Sequence, residues 1–216
     1  MSVLLLRLAG PMQSWDTQSR FPLRTAGLEP SKSGVIGLMS AALGRRREEP
    51  IEDLAALQMG VRVDREGKME SDYHTALNVI KASGAPSKTG EAIVSRRFYL
   101  ADADFLVGVE GEDLSLLKEI HAALQNPRWS LFLGRKAFPP GEPVHLTDGL
   151  QPGKNLHQAL TQHLPRPSSF RLILETHEGN VIRIDQPIAP IIERRFAPRR
   201  VTIRIIREEE LCISRC

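Results

Sequence analysis

Ser2-Val3-Leu4-Leu5-Leu6-Arg7-Leu8-Ala9, followed at once by Gly10-Pro11, opens the chain. The run is rich in leucine, alternates only weakly, and stops too early for a helix, so it reads as a buried strand. Residues 10–30 carry Gly10, Pro11, Pro22, Gly27 and Pro30 without an apolar period, which predicts an ordered loop of unusual length. Beyond it lies the clearest helix signal. Ser31 is placed to cap, Val35, Ile36, Met39, Ala42 and Leu43 recur at helical spacing, and Gly44 supplies the stop.

The rest of the chain continues the alternation. A short helix fits Ile51–Gln58, and a strand begins at Val61–Val63. Residues 69–98 read as a hairpin-like insertion with its tip near Ser83–Gly90. Phe105–Val109 predicts a strand, and Leu114, Leu117, Ile120, His121 and Leu124 an amphipathic helix with Glu112 and Asp113 at its positive end. Leu131–Leu133 reads as a short strand, and Pro139–Gly153 as loop. Phe170–Glu175 and Val181–Ile184 flank Glu178-Gly179-Asn180, the pattern of a hairpin, and Val201–Ile205 alternates as a half-buried strand. The order is βαββαβ, which predicts an α+β, ferredoxin-like domain over 1–145 with the 69–98 insertion, and a β-rich extension over 146–216.

Composition excludes several classes. In 216 residues, 41% are hydrophobic and 25% charged, the range of a folded globular chain. The first apolar run is far short of the ~20 residues of a membrane span and of the ~7–15 of a signal-peptide core, so a soluble, cytoplasmic protein with no membrane partner is expected. Cys212 and Cys216 are the only cysteines, too few for a zinc ribbon or a disulfide framework. His121 is expected to be satisfied on or beside a helix's apolar face, His145, His157 and His163 show no metal-like spacing with carboxylates, and no nucleophile-elbow or zinc-protease motif is present, so neither a metal nor another cofactor is expected.

Charge is distributed by side. The net charge is only +3, yet residues 101–127 hold six acids against Lys118, and residues 191–207 hold six arginines against Glu193. Arginine's planar fork suits phosphate. Arg194, Arg195, Arg199 and Arg200 flank Phe196-Ala197-Pro198, which reads as a polyanion-facing surface or as a solvated face paired with the 101–127 acids. Gly27–Gly34 invites comparison with a P-loop but lacks the glycines that motif would need at Ala26 and Ser31. What survives is Ser31, Lys32 and Ser33 at a helix N-terminus, either an anion site or a plain cap. Gly134-Arg135-Lys136 allows close backbone approach to a phosphate, and Arg96-Arg97 flanks the insertion. Tyr73-His74 at the insertion's base admits three readings: a structural pair, a base-stacking and hydrogen-bonding pair, or the acid and base of a metal-independent ribonuclease.

Several motifs recur in a fixed order: LRLAGPMQSW at Leu6–Trp15, PSKSGVIG at Pro30–Gly37, DYHT at Asp72–Thr75, RFYL at Arg97–Leu100, LGRK at Leu133–Lys136, DQP at Asp185–Pro187 and RFAPR at Arg195–Arg199. In this combination the chain resembles the CasD-type subunits of Cascade, the type I-E CRISPR surveillance complex. The resemblance implies a RAMP-type ferredoxin-like domain whose 69–98 insertion is a protruding thumb. It implies a non-catalytic subunit that grips the 5′ handle of crRNA and caps the crRNA filament. The partners it implies are the adjacent backbone subunit and the large PAM-reading subunit, with target DNA reached through the complex. In type I-C relatives the equivalent subunit cleaves precursor crRNA, the alternative that would make Tyr73 and His74 catalytic. Carried onto this sequence, the resemblance gives Gln13, Ser14, Trp15, Arg24, Ser31, Lys32, Ser33, Tyr73, His74, Thr75, Gly134, Arg135 and Lys136, and the charge pattern adds Arg96, Arg97, Arg195 and Arg199 to the RNA-binding set. Asp16 stands where the family often has glycine.

Overall fold

In a computed structural model describing residues 1–17, 23–80, 84–88 and 91–209, the opening strand β1 (Ser2–Ala9) is buried on both faces. Leu4, Leu6 and Leu8 enter one core, with Val35, Ile36 and Met39 of helix α1 (Lys32–Leu43) and Leu117 and Ile120 of helix α3 (Leu114–Gln125). Val3 and Leu5 enter a second core on the other face, with Leu156, Ala159 and Leu160 of helix α4 (Leu156–Gln162). Burial of successive residues on opposite faces is why the strand reads as a leucine run instead of an alternation.

The other elements are β2 (Met12–Gln13), β3 (Leu23–Arg24), α2 (Glu52–Ala55), β4 (Gln58–Arg65), β5 (Lys68–Leu77), β6 (Ala92–Ala101), β7 (Asp104–Gly111), β8 (His145–Pro152), β9 (Ser169–Glu175), β10 (Val181–Pro187) and β11 (Phe196–Arg207). Seven strands form one antiparallel sheet in the order β10-β11-β9-β4-β7-β1-β8. The β5–β6 hairpin stands apart, with β2 and β3 on the other edge of β6. No helix of the described residues is long and apolar enough to cross a membrane. Cys212 and Cys216 lie outside the described residues.

Ser31 caps α1 by accepting from Gly34 N, and Gly44 ends it in the left-handed region, as expected. Three expectations are corrected, and one helix is added. Residues 145–152 form β8 and not a loop. It is an edge strand, and Gly149 lies at its irregular register, where a Cβ would stand 2.7 Å from the Leu5 carbonyl oxygen. Leu131–Leu133 is not a strand but the start of a tight loop, closed by Leu133 N donating to Phe138 O at 2.7 Å. Helix α4, for which no element was expected, is marked by a capping box, Asn155 with Gln158, and by Leu156, Ala159 and Leu160 at helical spacing. Finally, β9 and β10 are not a hairpin.

β11 lies between them. β9 pairs with Val201–Arg207 along one edge, and β10 with Phe196–Val201 along the other. The 176–180 connection steps across β11 at Val201, where a Cβ on Gly179 would stand 2.6 Å from the Val201 backbone. The local turn forms, but its arms are taken by a third strand, and long-range pairing overrides the hairpin signal. The C-terminal segment thereby continues the same sheet beyond β4.

One side chain fastens this extension from beneath. Arg62 on β4 is fully buried, and each of its five N–H donors has an acceptor: Asp64 Oδ1 and Oδ2 at 2.6 and 2.9 Å, and the carbonyls of Leu160, His163 and Pro165 at 2.7, 2.7 and 2.9 Å. It satisfies the carbonyl end of α4 while its guanidinium lies 5.6 Å from the Phe170 ring centroid. Arg62→Leu strands a carboxylate and three carbonyls in the interior. We expect the free energy of unfolding, measured by urea denaturation, to fall by about 3–5 kcal/mol; a loss below about 1 kcal/mol would contradict the assignment.

Candidate nucleic-acid interface

The loop after β1 is built as a brace. Gln13 Nε2 donates to Leu8 O and Ala103 O at 2.9 and 2.8 Å, and its Oε1 accepts from Trp15 Nε1 at 3.0 Å. The Trp15 ring lies against the first turn of α1, so close to Gly34 that a Cβ there would meet it at 2.9 Å. Gln13 and Trp15 are 0% and 1% exposed, so in this fold they hold the loop and leave no side-chain atom for RNA. Ser14 donates its hydroxyl to Phe98 O at 3.2 Å and its backbone N–H to Leu133 O at 3.1 Å, joining three segments.

The helix start is corrected too. Lys32 N donates to Asp185 Oδ2 at 2.7 Å, so the protein's own carboxylate occupies the end where a phosphate was expected. Lys32 Nζ is buried against Glu175 at 3.0 Å, and Arg199 clasps Asp185 at 2.7 and 3.0 Å. Burial lowers the Lys32 pKa, against the opposing pull of Glu175. Lys32 and Arg199 are 3% and 8% exposed and form an internal ion cluster, so neither faces a ligand. Ser31 is engaged as the cap, and Ser33 remains at the surface of the groove described next.

That groove, of about 550 Å³, lies between the two halves of the chain. Arg24 from β3, Arg47 after α1, Arg135 from the 134–138 loop, and Arg194 and Arg195 before β11 all line it, with Ser14, Ser33 and Asp16. Asp16 accepts from Thr25 Oγ1 at 2.9 Å. Burial lowers the Arg135 pKa, and the positive charge of Arg97 and then Arg24 adds to that, against Asp16 and Asp72. Like charges are thus gathered where an anion would relieve them. Gly134 makes the loop possible: its φ is +87°, and a Cβ would overlap the Ser14 carbonyl oxygen. Arg135 lies 5.6 Å from the Phe138 ring centroid, and Phe138 meets Tyr99 of β6 at 5.9 Å. Lys136 is exposed on the same loop.

The hairpin delivers the remaining candidates. Arg24 pairs in parallel with Arg97, and Leu23 with Arg96. Across the hairpin, Tyr73 is opposite Arg96, His74 opposite Ser95, Thr75 opposite Val94 and Asp72 opposite Arg97. Strand alternation therefore puts Tyr73, Thr75 and Arg96 on one face and Asp72, His74, Ser95 and Arg97 on the other. Contacts bear this out: His74 Nδ1 is 3.5 Å from Asp72, and Arg97 Nε donates to Ser95 Oγ at 3.0 Å. Tyr73 and His74 thus lie on opposite faces of the hairpin. Among the described residues no cluster of three metal-ligating side chains exists. Arg47, which the sequence reading missed, sits in the basic run Arg45–Arg47 just past Gly44, the one signal that could have found it.

Residues 3–202 match the model of the family described as CRISPR-associated protein (Cas_Cas5). The chain belongs to the Cas5 family. It is 35% identical over 159 residues to the CRISPR system Cascade subunit CasD of Escherichia coli (strain K12), covering 67% of this chain and 70% of that one. A solved structure described as a crystal structure of a Cas protein is 44% identical, with 96% of each chain covered and a TM-score of 0.79. A chain of a CRISPR RNA-guided surveillance complex is 33% identical, with 95% and 90% covered and a TM-score of 0.80. The CasD-type resemblance carried by the ordered motifs thus holds over most of the Cas5-family chain.

The ion cluster makes a separable prediction. Lys32→Ala leaves Glu175 facing Arg199 and Asp185 in an interior built for two cations, and should lower stability by about 3 kcal/mol in urea. Adding Glu175→Gln should recover part of that loss. Equal stability of Lys32→Ala and the parent would place Lys32 outside the cluster's energetics.

Proposed function

We propose that this Cas5-family chain is a non-catalytic, RNA-binding subunit of a type I-E Cascade, and that it grips the 5′ handle of crRNA and caps the crRNA filament. The observation that carries the reading is the groove. Five arginines from four separate segments line one cavity. Solubility does not require such convergence, and phosphate does reward it. The CasD relative and the likeness to a chain of an RNA-guided surveillance complex support the same reading.

The residues assigned to RNA are Ser14, Arg24, Ser33, Gly134, Arg135, Lys136 and Arg195 in and beside the groove, with Arg97 and His74 on the facing side of the hairpin. Tyr73, Thr75 and Arg96 belong to the hairpin's outer face, where a nucleotide displaced from the stack would lie. Single-stranded RNA suits this arrangement, because its phosphates can follow a line of guanidinium groups that a duplex would be too wide to enter. The strand order β4-β7-β1-β8, with α1 and α3 as the crossovers, supports reading residues 1–152 as the ferredoxin-like RAMP unit, the β5–β6 hairpin as its thumb, and the remainder as its extension. The partners are the neighbouring backbone subunit, the large PAM-reading subunit and, through the complex, target DNA in the cytoplasm.

Fluorescence anisotropy with an RNA matching the crRNA 5′ handle, repeated between about 50 and 200 mM salt, tests the reading. Affinity should fall steeply with salt. Arg24→Ala and Arg135→Ala should each weaken binding and reduce the salt slope by about one. A slope unchanged in the double variant would overturn the groove assignment, and handle-specific cleavage in EDTA, abolished by His74→Ala, would overturn the non-catalytic one.

A further inference from the structure

The groove's lining is of two kinds. Arg24, Arg135, Arg194 and Arg195 bring charge to it, and Pro187, Pro190, Ile191 and Phe196 bring apolar surface. Phe196 is 42% exposed, whereas Phe105 and Phe170 are in the cores at 0% and 3%. Its backbone is fixed. Phe196 pairs with Pro187, and Arg195 O accepts from Ile188 N at 3.2 Å. Just before it, Arg194 holds a left-handed backbone at φ +52° after the 3₁₀ turn Ile191–Glu193. A non-glycine residue keeps that conformation where the surroundings demand it, commonly at functional sites. Here it turns the chain so that three consecutive residues, Arg194, Arg195 and Phe196, border one cavity. Glu193 lies beside Arg195 at 3.4 Å.

Arginines and an exposed aromatic residue on a fixed backbone, lining one cavity, offer a single unstacked nucleotide partners for both its anion and its base. The cavity's size falls within the ~300–1,000 Å³ typical of small-ligand sites, room for one nucleotide and not a helix. We propose that Phe196 is the stacking platform for one splayed nucleobase of the bound RNA, the one whose flanking phosphates meet Arg24 and Arg135. This rests on the RNA-groove reading and adds to it the position where the RNA's stack is broken. The charge of the groove selects a nucleic acid over an apolar protein segment as the occupant, since a neutral loop would leave the arginines without counter-charge.

The test is an abasic scan of the handle RNA against the full chain, by anisotropy, with thermal unfolding of each variant as a folding control. On the parent, removing one particular base should weaken binding about tenfold. Phe196→Ala should weaken binding of intact RNA by a similar factor and abolish the penalty at that position alone. Phe196→Trp should keep both. If Phe196→Ala binds every RNA as the parent does, while parent binding stays salt-sensitive, the platform is overturned and the groove reading stands. The same holds if Phe196→Ala disrupts only assembly with another subunit. If the parent shows no salt-sensitive binding to the RNA, the groove reading falls and the platform with it.

Discussion

The carboxylate of Asp185 is the constraint on which the rest of the molecule depends. It accepts the Lys32 backbone N–H at the start of α1 and the Nε and Nη2 hydrogens of Arg199, while Glu175 takes Lys32 Nζ and the Met59 backbone N–H. Four charges from α1, β9, β10 and β11 are thereby held out of water, a tolerable arrangement only because each is paired. The consequence is geometric. The C-terminal strands are tied to the first turn of the first helix, and the groove exists because its two walls, one from each part of the chain, cannot drift apart.

The same cluster explains how cationic residues divide between stability and binding. Lys32, Arg62 and Arg199 are buried and matched to acceptors of the fold itself. Arg171 and Arg183 are held by Glu29, whose pKa falls because their hydrogen bonds and charge outweigh its burial. The arginines that line the groove, Arg24, Arg47, Arg135, Arg194 and Arg195, are not consumed in this way, and Arg135 among them is held against its burial and against the charge of Arg97 and Arg24. A small overall charge conceals this partition.

Local signals were legible in the sequence wherever short-range physics decides the outcome. The Ser31 cap, the Gly44 stop and the α3 stripe follow from neighbours a few residues apart. Lys32 is buried by partners far along the chain, Glu175 and Asp185 being 143 and 153 residues away, and Arg199 meets Asp185, only 14 residues away, through the β10–β11 pairing that local pattern does not announce. Tyr73 and His74, adjacent in sequence, looked like a pair until strand alternation put them on opposite faces. The turn at Gly179 is present, but β11 enters between its arms, which no pattern within 170–184 could announce. The Gly134-Arg135-Lys136 loop carries a local signal, a glycine beside two cations, although the reason for its glycine, contact with Ser14, is tertiary.

The claim at the centre of this account is that RNA runs through the groove and not over the helix start. A UV crosslink map on the assembled complex tests it most directly. The account predicts adducts on the 132–138 loop, around Arg24 and at Arg194–Phe196, with none at Lys32 or Arg199. Adducts confined to the α1 N-terminus, or absent from all groove segments while other subunits crosslink to the handle, would contradict it.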